Sequence, residues 1–331
     1  MEYVLKKTNS KCKEFSILDT ILFEITINKD LLFNSNYISN GNFRFFGIYN
    51  NYQIIFDQTK FNSLFYDSNG TLVSEIEEYA LRHIYTFSNG NSLVGGNDGL
   101  KVFYGIYNFP KKILLNRFDR LGFNGVYQVI NDDLFLSQNN EKFGVFTFDN
   151  VCVWECYYKD LFENYEPIGA GTTNILKVGD KLYIELDKTY CIEIETGKTE
   201  RVYEYKFTNS ENEFLYGLQF LSMKEFQLAI LNTKTNSLKI IDVSDEFNKL
   251  NVYPDSRIVV DNGLVYFSQN MGTEVAKIGV LSPESGKILW KYDFEKKNGM
   301  IGTLKVNGGR IYAHTQDKTL HIFEKESTPI L

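Results

Sequence analysis

Prolines, cysteines, histidines and tryptophans are all scarce in this chain of 331 residues, which has five, four, three and two of them respectively. With so few prolines and no Ser- or Pro-rich tract, neither a linker nor a low-complexity segment is present. The cysteines are Cys12, Cys152, Cys156 and Cys191. Cys152 and Cys156 stand four apart on an expected strand, which separates their Cα atoms by about 13 Å. A disulfide needs them within roughly 7 Å, so that pair cannot close. Short paired ligand spacings are missing as well, so we expect no zinc or other metal and free thiols in a reducing compartment. The histidines, His83, His314 and His321, have no metal-ligand spacing, and no Gly-x-Ser-x-Gly elbow occurs. Long apolar runs are absent too; Ile21-Leu22-Phe23 is far too short to cross a bilayer. Residues 1–9 are polar and show no signal-peptide core, so we expect a cytoplasmic protein unless a leader has been removed. Basic residues are outnumbered, 35 to 42, for a formal charge of −7. That balance argues against nucleic acid and against anionic membrane as partners, and it suits a basic protein.

What is abundant is aromatic: 27 Phe and 22 Tyr, with many β-branched residues, which favours strands. Residues 258–294 set the pattern. A run at 258–260 turns at Asp261-Asn262-Gly263 into 264–267, a link at 269–274 leads to 276–281, and a turn at 282–286 leads to 287–294. These are four short runs joined by hairpin chemistry. One such sheet, apolar on both faces, cannot be stable alone. Its first turn recurs at Asn50-Asn51, Asn89-Gly90, Asn131-Asp132, Gly179-Asp180, Met223-Lys224, Asn262-Gly263 and Asn307-Gly308. The interval is roughly forty residues, the spacing of propeller blades. The expectation is an all-β, seven-bladed β-propeller of four-stranded antiparallel blades in one domain. The blades would cover about 43–77, 84–118, 126–158, 174–207, 216–252, 257–294 and 303–325. Residues 242–250 could form a helical turn. The seventh unit runs out before a fourth strand, so residues 17–27 are expected to close it from the N-terminal side.

Gly286-Lys287-Ile288-Leu289-Trp290, followed by Leu304-Lys305-Val306-Asn307-Gly308-Gly309-Arg310-Ile311-Tyr312, resembles the repeat of quinoprotein-type propellers, and Trp154 takes the equivalent place in the third unit. The resemblance implies the repeat architecture only. A vicinal cysteine pair and a calcium-binding acid cluster, which the family's enzymes use, have no counterpart, so no cofactor is expected. Ser282, Glu284 and Gly286 are also similar to the Asp-box of sialidase propellers, itself a structural turn.

A propeller brings together the segments that lead into its innermost strands, although they are far apart in sequence. Those segments supply the candidate site: Arg82, His83, Arg117, Asp119, Arg120, Tyr165, Glu166, Glu213, Tyr216, Tyr253, Asp255 and Arg257. Arginine and tyrosine are the residues of protein hot spots. The first expectation is therefore a non-catalytic propeller that binds a protein partner at its channel rim, with an immunity-type protein against a basic toxin as one form. The alternative is a carbohydrate-active hydrolase or lyase, for which Glu166, Glu213 and Asp255 are the candidate carboxylates; a sugar or other small ligand stays open. Such an enzyme needs two of them about 5 to 9 Å apart. Tyr157, Tyr158 and residues 162–166 form a further candidate contact region. Gly95-Gly96-Asn97-Asp98-Gly99 reads as a hairpin link, not a phosphate loop.

Overall fold

The computed structural model describes residues 3–18, 20–166, 173–222, 224–255, 257–270 and 275–326. Met223 of the fifth turn, residues 271–274 of the link in the sixth unit, Asp19 and residues 167–172 therefore lie outside the described residues.

Among the described residues the strands form eight four-stranded antiparallel sheets. In chain order, sheets 1 to 7 span residues 12–40, 43–76, 80–118, 128–157, 175–203, 209–242 and 258–293. Sheet 8 combines residues 301–325 with the N-terminal strand Tyr3–Asn9. Backbone contacts divide the chain into two compact units. The first holds Lys11–Asp160 and so contains sheets 1 to 4; the second holds residues up to Ser10, Leu161–Tyr165 and Thr173 onward, with sheets 5 to 8.

Side chains alternate across each strand, so every sheet has two faces to bury. Apolar clusters fill the spaces between neighbouring sheets of a unit. Leu93, Leu121, Phe135 and Phe146 join sheets 3 and 4, and Tyr266, Val280, Ile311 and Phe323 join sheets 7 and 8. Hairpins are tied by left-handed residues where the sequence supplies Asn and Gly; Asn262 and Gly263 have φ of 51° and 70°.

Eight blades, not seven, is the first correction. The extra one is sheet 1, whose turns are disguised. Leu18 pairs with Ile21, so the stretch 17–27, read as one strand, contains a hairpin. Lys29 and the pair Asn34-Ser35 take positive φ with no glycine to announce them. The last sheet is indeed closed by an N-terminal strand, but the strand is Tyr3–Asn9, paired antiparallel with Leu320–Lys325. Its buried Tyr3 faces the core, and Lys6 and Lys7 face solvent on the sheet's outer side.

Sheet 6 also starts earlier than the turn spacing implies. Its first turn is Asn212-Glu213, between Asn209–Glu211 and Phe214–Ser222, and the turn around Lys224 joins its second and third strands. The helix Ser244–Lys249 follows its last strand, Ser237–Asp242, and buries Phe247 against Phe226 and Phe267.

Candidate functional site

In each sheet the first strand is reached by a lead-in segment, and the turn between the second and third strands lies at that same end. In sheet 3 these are the start of Ala80–Thr86 and the turn 98–101. Asp98 shapes that turn: one carboxylate oxygen accepts from the N–H groups of Leu100 and Lys101 at 2.9 and 2.8 Å. The other takes Arg117 Nη1 at 2.8 Å. These bonds to backbone amides, joined by the guanidinium, pull the Asp98 carboxyl down to about 2.

A cavity of about 600 Å³ opens at this end, between sheet 3 and the lead-in and first strand of sheet 4. That is within the range of ligand and peptide pockets. Its walls include Arg82, Gly95, Asn97, Val102, Tyr104, Tyr127 and Val129. No aspartate or glutamate is among its lining residues. Arg82 is exposed, and its side chain has no hydrogen bond or ion pair among the described residues. Of the lining residues Val102 is 72% exposed and Tyr127 38%, and Leu100, in the 98–101 turn at the same end of sheet 3, is 92% exposed. The far wall depends on Gly125, whose φ is +110° and where a Cβ would come 2.0 Å from the Tyr104 hydroxyl. A smaller cavity of about 270 Å³, lined by Tyr49, Tyr52, Phe65 and Phe109, has no charged residue in its walls.

The other candidates of the first unit are committed to structure. Arg117 lies opposite Gly105, and its guanidinium sits 4.3 Å over the Phe103 ring, with Asp119 3.7 Å away. Arg120 donates through Nε to the Phe123 carbonyl at 3.0 Å and through Nη2 to the same oxygen, so it braces its own loop. His83 reaches the cavity wall but is half-buried. Its Nε2 pairs with Thr86 Oγ1 at 2.9 Å, its ring meets Tyr49 edge-on, and burial lowers its pKa. Glu166 is exposed beside the undescribed residues. Tyr158, read as an exposed contact residue, is fully buried: its ring stacks on Phe143 and its hydroxyl donates to Gln138. The helix Tyr158–Leu161 turns it inward.

In the second unit, Asp255 and Tyr253 do lie in a lead-in, that of sheet 7. Asp255 accepts from Ser268 Oγ at 3.1 Å and Asn270 Nδ2 at 3.0 Å, and the Tyr253 N–H donates to the buried Gln269 at 2.7 Å. Arg257 is exposed there. Tyr165 is half-buried, its N–H bonded to the Phe162 carbonyl at 2.9 Å. Glu213 and Tyr216 do not join the lead-in residues. Glu213 is in the first turn of sheet 6, at the end of the sheet opposite its lead-in, and Tyr216 is core. The error follows from the misplaced fifth turn. Glu213 and Asp255 therefore occupy opposite ends of neighbouring sheets and do not form the carboxylate pair of a glycosidase. Among the described residues no group of three or more His, Cys, Asp or Glu side chains could hold a metal ion.

The sequence reading missed Leu100, Val102, Tyr104 and Tyr127. One signal was present: Leu100 is an apolar residue inside an otherwise polar turn, Gly-Asn-Asp-Gly-Leu-Lys, with no strand periodicity to bury it.

No protein-family model matches the chain, and no curated protein matches it in sequence. Among solved structures it resembles BamB from Moraxella catarrhalis, with a TM-score of 0.56 and 11% identity, over 98% of this chain and 100% of that one. A chain of a Mitotic Checkpoint Complex gives 0.47 and 9%, over 98% and 96%. The likeness to BamB shows the fold: the chain has β-propeller repeat architecture, here with eight blades. The quinone-type subdivision of that architecture has no family match behind it.

Proposed function

We propose that the chain is a non-catalytic β-propeller that binds another protein at the lead-in end of sheets 3 and 4. The observation that supports this is a cavity lined by the exposed Val102 and Tyr127 and by Arg82, whose side chain has no partner among the described residues, with the exposed Leu100 in the turn at the same end of sheet 3. Exposed apolar groups rimmed by polar ones mark interaction surfaces, and Arg and Tyr dominate their energetics. The groove itself carries a cation, so it offers less to the basic toxin of an immunity-type partnership than the net charge of −7 does. A cytoplasmic location stays part of the proposal, and among the described residues no helix is long and apolar enough to cross a membrane.

The test uses the full chain as bait in its native cell. A Leu100→Glu, Val102→Glu double variant should lose the partner, because it puts two carboxylates where an apolar contact is needed. A Leu238→Glu, Ile240→Glu variant on the exposed outer strand of sheet 6 should keep it. Loss of the partner from the second variant alone would place binding elsewhere.

A further inference from the structure

Two adjacent glycines on the middle of sheet 3 are used in opposite ways. Gly96 faces sheet 2, and the chain fills its gap with its own Phe103: a Cβ there would lie 2.3 Å from that ring. Gly95 points to the other side. It pairs with Arg82 on one strand and Tyr104 on the next, so the three positions share one face of the sheet. A Cβ on Gly95 would meet nothing nearer than Ile84 Cδ1 at 3.6 Å. The missing side chain leaves a hollow between a guanidinium and an aromatic ring, and the hollow is part of the 600 Å³ cavity.

We propose that this hollow receives an acidic peptide segment of a partner protein, seating an apolar side chain over Gly95 and a carboxylate against Arg82. This rests on the protein-binding reading and specifies the partner's chemistry. Charge around the hollow favours an acid. In a chain with 42 acidic and 35 basic side chains, the cavity's lining contains Arg82 and no carboxylate. Arg117, the other arginine of the same sheet, already has Asp98 at 2.8 Å, whereas Arg82 has no such partner among the described residues. A guanidinium beside apolar walls donates two parallel hydrogen bonds to a carboxylate and repels a second cation. Reach favours a peptide over a small acid. Val102 lines the same cavity two residue pairs from Gly95 and is 72% exposed, and Leu100 in the adjoining turn is 92% exposed; a ligand confined to the hollow at Gly95 would leave both in water. A chain that continues past the hollow covers them.

Random peptides displayed on phage and selected on the full-length protein test this. The selected peptides should carry Asp or Glu beside a large apolar residue. Arg82→Gln should weaken them about thirtyfold, the usual cost of truncating a hot-spot arginine. Arg201→Gln, an exposed arginine on the last strand of sheet 5, should leave them unchanged. Gly95→Leu should abolish binding, since the backbone there is ordinary strand and the added side chain fills the hollow. Arg82→Glu should be rescued by peptides whose acid is replaced by Lys. If Gly95→Leu-sensitive peptides carry no acid and ignore Arg82→Gln, the acidic partner is wrong while the binding groove stands. If no selected peptide responds to either variant, both readings fall. If glucuronate or inorganic phosphate binds with Arg82 dependence and no peptide does, the groove is a small-anion site and the peptide proposal is overturned.

Discussion

Replacing Tyr3 with alanine should loosen the closure of the last sheet. Tyr3 is 5% exposed and lies in the cluster between sheets 7 and 8. Its ring sits 5.2 Å from that of Trp290, and its hydroxyl is 3.1 Å from the Tyr266 hydroxyl, both on sheet 7. The N-terminal strand therefore clips two sheets together in addition to completing one. Truncating a buried aromatic costs about 3 to 5 kcal/mol, and we expect Tyr3→Ala to cost about 4. Tyr3→Phe keeps the ring and removes one buried hydrogen bond, for about 1 to 3 kcal/mol. The two tryptophans are in different units, so in a Trp154→Phe background Trp290 fluorescence reports the unit that contains Tyr3. In urea, at a slope of roughly 3 kcal/mol per molar, Tyr3→Ala should lower the midpoint by about 1.3 M, and Tyr3→Phe by about 0.3 to 1 M. If residues 17–27 closed the last sheet instead, Tyr3 would be dispensable. An unchanged midpoint for Tyr3→Ala would refute closure by Tyr3–Asn9.

Acid should destabilise the fold before the carboxylates titrate. Burial lowers the pKa of His83 and of His321 below the ordinary 6.5, so the unfolded chain takes up these protons first. Stability is full above about 6.5, falls as pH drops through that value, and levels once the folded histidines protonate. His321→Phe should flatten part of this slope in urea midpoints measured from about pH 8 to about pH 5. Asp98, held down to about 2, contributes only as pH falls from the ordinary carboxylate range toward that value, a separate window. Thiol labelling of the native protein should find Cys152 first, since it is exposed. Cys12 is buried with its thiol pushed up to about 12, and it should react only on unfolding. Immediate labelling of Cys12 would contradict its place in sheet 1. Gly125→Ala should cost about 1 to 3 kcal/mol by forcing Tyr104 aside at a left-handed position, read as a lower Trp154 unfolding midpoint. A neutral result would mean that Tyr104 does not rest on that loop.

The repeat was legible because most of its turns carry their chemistry in the open. Asn-Gly at 262–263 and at 89–90 can be read as hairpin turns without a structure. Sheet 1 was not legible, because Lys29, Asn34 and Ser35 adopt positive φ without a glycine and because the hairpin after Leu18 interrupts what looks like one apolar run. An unsignalled turn removed a blade from the count and made its strands look like spare sequence for closure. The site was half legible. Arg82 was found from its position at the head of an inner strand. That Arg117 and Arg120 have partners for their side chains, and Arg82 has none among the described residues, depends on hydrogen bonds that the order of residues does not encode. Likewise the hollow at Gly95 exists only through register, which sets Gly95 opposite Arg82 and leaves Gly96 to Phe103.

Protein binding at the lead-in end of sheets 3 and 4 is the proposal that most needs a direct test. A photo-crosslinking residue placed at Val102 in the full chain, irradiated in the native cell, tests it most directly. A matched residue at Ile240 on the outer strand of sheet 6 serves as the comparison. The account predicts a discrete protein adduct from Val102 that disappears in the Gly95→Leu background, and none from Ile240. Adducts from Ile240 alone, or a Val102 adduct indifferent to Gly95→Leu, would contradict it.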